Sequence, residues 1–114
     1  MQLKDEIKNL IESKKFIFTH VSDEIWGFAE TRFEEFQSAA LLERVLEQEG
    51  FSVKKNLAEM ETAFIGEYGS GKPVIGILGE YDALYGLSQE AGIAEKKPVV
   101  EGGKGHGCGH NVLG

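Results

Sequence analysis

Three residues near the end of the chain have side chains suited to chemistry. They fall in GGKGHGCGHNVLG, residues 102 to 114, where two histidines and the only cysteine stand between glycines. Thiolate and imidazole are preferred ligands of zinc and similar divalent ions. In an extended segment Cys108 and His110, two residues apart, point to the same side and can converge on one ion. Gly107 and Gly109 allow backbone angles that bulkier residues resist. Two ligands do not close a site, and a flexible glycine-rich loop with an incidental His and Cys is the alternative. The spacing of His106 leaves it open as a third ligand, a supporting group or a loop residue.

A second candidate lies upstream. Asp82 ends the apolar run PVIGILGEYD, and α/β sheets collect their ligands outside the carboxyl ends of such strands. Taken alone, Asp82 reads more simply as a solvated acid at a turn. Glu80 shares its face on a strand, so the two carboxylates could act together. One further motif fails. Gly66 to Lys72 has phosphate-loop spacing, but Pro73 replaces the required Ser or Thr and a strand follows where a helix is needed. His20 and Trp26 read as packing or surface residues, and Glu34-Glu35 as a solvated helix start.

The elements that must position these residues follow from periodicity. Ile7, Ile11, Phe18, Val21, Ile25 and Phe28 recur at helical spacing, which predicts a helix over about 2–30, with room for a kink near Thr19. Lys14 interrupts the stripe. A second helix is expected over 34–49, with Leu41, Leu42, Val45 and Leu46 on its apolar side and Gly50 as a left-handed cap. Strands are expected over about 51–56, 62–68 and 73–81, with Gly69-Ser70-Gly71 turning between the last two. The third is apolar at nearly every position, as when both faces of a sheet are covered. Residues 83–110 read as a long loop, and such loops are usually functional. A further helix could begin at Asn111. The pattern is that of an incomplete α/β domain.

Composition narrows the partners. The net charge of −7 argues against nucleic acid and anionic membrane, because phosphates would be repelled. The longest apolar run is too short to span a bilayer. The single cysteine cannot form an internal disulfide, and the first residues lack the apolar core of a signal peptide. A cytoplasmic, soluble protein is expected.

GEYDALYGLSQ (79–89) and GHGCGHNVLG (105–114) together resemble the metal-dependent aminoacylase/carboxypeptidase amidohydrolases, a group that includes hippurate hydrolases. The likeness covers nearly the whole chain, including IWGFAETRFEEFQSA in the helical part. It implies the N-terminal portion of an α/β/α zinc-peptidase-like catalytic domain, incomplete over residues 1–114. By resemblance, Cys108 and His110 match two metal ligands of an HxCGH motif, and Asp82 matches an aspartate that orients a ligand. Most relatives have aspartate after the second histidine; Asn111 favours the aminobenzoyl-glutamate branch. Tyr85 stands where proline is common. The resemblance further implies two divalent ions, zinc or manganese, and hydrolysis of an amide bond in a small N-acyl amino acid such as p-aminobenzoyl-glutamate. A dimer is implied, with a second copy or with a homologous subunit. The family's catalytic glutamates fall after Gly114, so these 114 residues alone are expected to be inactive. The competing readings are a non-catalytic metal- or partner-binding remnant and a plain structural domain.

Overall fold

The computed structural model describes residues 2–114; Met1, where the expected domain begins, lies outside them. Helix α1 spans Leu3–Phe28 without interruption. It contains no proline, and its first glycine is Gly27. At Thr19 the side-chain hydroxyl donates back to the Lys15 carbonyl, which satisfies the group without breaking the helix. The helix ends where Ala29 turns left-handed and donates its N–H to the Ile25 carbonyl. Only its last turns are covered. Ile25 is fully buried, whereas Ile7, Ile11 and Phe18 on the same stripe are exposed.

Helix α2, Phe36–Gln48, buries Ser38, Ala39, Leu41 and Glu43. Its end is a Schellman motif. Gly50, at φ 91°, donates to the Glu47 carbonyl, and Phe51 donates to the Leu46 carbonyl. The start is capped less directly. Glu35 makes no side-chain cap; instead the Glu30 carboxylate accepts from the backbone N–H of Gln37 at 3.0 Å and of Ser38 at 2.8 Å. Those are two of the donors that a helix start leaves unpaired.

Strands β1 (Ser52–Lys55) and β2 (Phe64–Glu67) pair antiparallel, with Val53 opposite Gly66. Gly66 faces α2 so closely that a methyl group there would lie 3.0 Å from a Leu46 methyl. Lys55 reaches from β1 across to the largely buried Glu43, 2.9 Å away, and compensates that charge.

The third expected strand, 73–81, does not form a ladder among the described residues. Val74, Ile75, Ile77 and Leu78 are almost wholly exposed, Ile77 at 95%. A strand exists only when a neighbour accepts and donates its backbone bonds. β2 pairs with β1 along one edge, and no backbone bond from its other edge reaches residues 73–79. The apolar composition demands cover on both faces, but nothing among the described residues supplies it.

The connection after Ala83 is tied down by specific bonds. Ala83 donates to the Glu30 carbonyl at 2.7 Å, next to a parallel bridge between Thr31 and Ala83. Leu84 and Gly105 exchange backbone bonds of 3.1 and 3.0 Å. A short helix α3, His110–Leu113, closes the chain. Helices with a two-stranded sheet are compatible with part of an α/β domain.

Candidate metal centre

The glycines of the terminal run have identifiable tasks. A Cβ at Gly105 would collide with the Leu87 carbonyl, and one at Gly107 would lie 2.6 Å from a Leu87 methyl. These two positions let the returning strand of the loop press against Leu87. Gly109 has φ 78° and directs the chain into α3. The backbone is thereby folded tightly enough to bring His110 back toward the segment ending at Asp82.

His110 stands between two carboxylates. Its Nδ1 lies 2.8 Å from Asp82 Oδ1, and its Nε2 lies 3.3 Å from Glu80 Oε2. The imidazole and Asp82 are mostly shielded, whereas Glu80 is more than half exposed. Donor atoms of Glu80, Asp82 and His110 all lie within 4.8 Å of one another. A carboxylate on one imidazole nitrogen fixes the ring and leaves the other free to bind an ion. Two donors on one tetrahedral zinc stand roughly 3.4 Å apart, given zinc–ligand bonds of about 2.0–2.2 Å. The separation of Nε2 from Glu80 Oε2 fits that edge, so nitrogen and oxygen donors here suit a divalent ion.

Of the residues singled out from sequence, the structure brings Asp82, His110 and Glu80 together and leaves Cys108 outside that group. Cys108 is exposed and in no disulfide. Glu80 and Asp82 converge without a ladder to hold them, because His110 approaches both from α3. His106 lies inward: both ring nitrogens are buried without a hydrogen-bond partner. Burial pushes its pKa below the usual histidine value. The Ile25 carbonyl opposes this without reaching hydrogen-bond geometry; His110 adds to the lowering, and Asp82 opposes it. Two shallow clefts lie elsewhere, one beside Phe33 and Met60, the other beside Trp26, Phe28 and Val100.

Two residues that position the site are not legible as such in the sequence. Glu30 holds the start of α2 through its carboxylate and Ala83 through its carbonyl. Ser22 receives the side chain of Asn111. Neither stands out in a periodicity, since each acts through a partner distant in sequence.

Comparison with known proteins finds a likeness to a hydrolase component. That relative is a subunit of p-aminobenzoyl-glutamate hydrolase from Escherichia coli (strain K12), 53% identical over 108 residues. The matched region covers 95% of this chain but 22% of the relative, so the chain spans less than a quarter of that protein's length. No family model matches the chain, and no solved structure matches it. The resemblance read from GEYDAL and HGCGHN, and the preference for the aminobenzoyl-glutamate branch, therefore agree with the similarity over nearly the whole chain. No helix among the described residues is long and apolar enough to cross a membrane.

Proposed function

We propose that this chain supplies part of the metal centre of a hydrolase that cleaves the amide bond of N-acyl amino acids. The substrate proposed is p-aminobenzoyl-glutamate, split to p-aminobenzoate and glutamate. The observation that carries this is His110 held by Asp82 on one nitrogen and facing Glu80 with the other. The 53% identity to a hydrolase component named for that substrate supports the choice.

In this reading His110 is a metal ligand that Asp82 orients, and Cys108, outside that donor group, is a ligand on the family resemblance alone. Glu80 is a further oxygen donor in this reading, supported by its 3.3 Å approach to His110 Nε2. A divalent ion there, zinc or manganese, would supply polarisation of the amide carbonyl and acidification of water. Asp82 keeps a proton on Nδ1 and so presents the Nε2 lone pair toward Glu80. The family resemblance supports two ions and an assembly with a homologous subunit; the composition supports a cytoplasmic location. Residues 1–114 alone are expected to bind metal without turning substrate over.

The test is release of p-aminobenzoate by the whole protein, before and after chelation and with Cys108→Ser or His110→Ala. Loss of release on chelation and in both variants is expected. Undiminished release from the chelated protein would overturn the metal reading, and absence of release from metal-replete protein would overturn the substrate.

A further inference from the structure

Asn111 follows His110 directly, and its side chain turns back to α1. Its Nδ2 stands 3.0 Å from Ser22 Oγ and 3.4 Å from the Ser22 carbonyl oxygen. The carbonyl can only accept, so this contact needs the amide donor of asparagine; a carboxylate would set oxygen against oxygen. Ser22 lies three residues before Ile25, on the same face of α1 as the one buried side chain of that helix. It is therefore mounted on the best-anchored part of α1.

α3 needs such an anchor. It has four residues, too few to hold a direction by its own backbone bonds. Its far end rests against the chain at Gly79 and Tyr81, where the Leu113 carbonyl and Gly114 approach. These contacts locate the far end of α3, while its first turn is set by what His110 and Asn111 touch. Rotation decides where His110 points, because His110 and Asn111 stand about 100° apart around the helix axis. Fixing Asn111 on α1 thus directs His110 toward Asp82 and Glu80.

We propose that Ser22 and Asn111 form a latch that aims His110, which makes Ser22 a positioning residue of the centre although it touches none of the donor atoms. The proposal rests on the metal reading for what His110 is aimed at. The aim itself is observable in the metal-free chain, which separates the two claims.

The experiment uses the full chain as Ser22→Ala, Ser22→Thr, Asn111→Asp and the Ser22→Ala/Asn111→Asp double variant, each checked for helix content by circular dichroism. Two readouts are taken: the imidazole ¹⁵N signals of His110 in metal-free protein at one pH, and the affinity for Zn²⁺. Ser22→Ala and Asn111→Asp should each move the His110 nitrogens toward values for free histidine. Each should also weaken Zn²⁺ binding by about fivefold, the effect of one net hydrogen bond. The double variant should be no worse than either single one, and Ser22→Thr, which keeps the hydroxyl, should retain both signals. If Ser22→Ala and Asn111→Asp lower the melting temperature yet leave the His110 signals unchanged, the latch is only a packing contact and the proposal falls. Should the wild-type chain take up no Zn²⁺, the metal reading fails, and the latch is decided by the His110 signals alone.

Discussion

Removing the Glu30 carboxylate should unfasten the start of α2 from the backbone that Ala83 pairs with. Glu30 Oε1 accepts from both the backbone N–H and the hydroxyl of Ser38, each at 2.8 Å, while Oε2 accepts from Gln37 N–H at 3.0 Å. Ser38 is fully buried, so in Glu30→Ala its two donors lose their acceptor with no water to replace it. A hydrogen bond to a charged group contributes about 1.5–3 kcal/mol, and three that share one carboxylate are not additive. The Gln37 bond is exposed and counts for less. The expected loss is about 3 kcal/mol for Glu30→Ala and about 1 kcal/mol for Glu30→Gln, which keeps one carbonyl oxygen. Urea unfolding followed by helix ellipticity reads both values. With a slope of about 1.5 kcal/mol per molar, the alanine midpoint should fall by roughly 2 M. Ser38→Ala should recover part of the loss when combined with Glu30→Ala, because it removes the stranded hydroxyl. A Glu30→Ala variant within about 0.5 kcal/mol of wild type would refute the reasoning, since surface substitutions without a structural role fall in that range.

Other outcomes follow from the same packing. Ile25→Ala, at the fully buried end of α1, should cost about 3 kcal/mol in the same unfolding measurement. Gly105→Ala should cost about 2 kcal/mol or more by overpacking, because its methyl group meets the Leu87 carbonyl; thermal melting checks this. Tyr81 donates its hydroxyl to the Thr62 carbonyl, and burial, with Glu35, Glu43 and Glu30 nearby, pushes its pKa above the usual phenol value of 10.0. The unfolded chain then loses the phenolic proton first, so Tyr81's contribution is fully present below pH 10 and declines as pH rises through the folded-state pKa. Tyr81→Phe should cost about 1 kcal/mol at pH 8 and flatten the loss of stability above pH 10, as read by urea midpoints across that range.

Local pattern carries much of the fold. The stripe ending at Ile25 and Phe28, the cluster from Leu41 to Leu46 and the cap at Gly50 each specify an element through neighbours in sequence. The boundaries expected at 2–30 and 34–49 accordingly fall close to Leu3–Phe28 and Phe36–Gln48. The segment 73–81 cannot be read the same way. Its apolar residues state that cover is needed, but a ladder depends on which backbone lies alongside, and that is not written in the segment itself. The site shows the same division. Alternation pairs Glu80 with Asp82 and chemistry marks His110, whereas the meeting of all three depends on Gly105 and Gly107 folding the loop against Leu87. The bonds of Ser22 and Glu30 span 89 and 8 residues respectively, and no periodicity announces either.

The measurement that bears most directly on the centre is equilibrium uptake of Zn²⁺ and Mn²⁺ by metal-free chain, compared with His110→Ala and Asp82→Asn. Stoichiometric, saturable binding that is abolished by His110→Ala and weakened about tenfold by Asp82→Asn is the expected result. Binding that is absent from the wild-type chain, or equal in all three proteins, would contradict the assignment of His110 as a ligand held by Asp82.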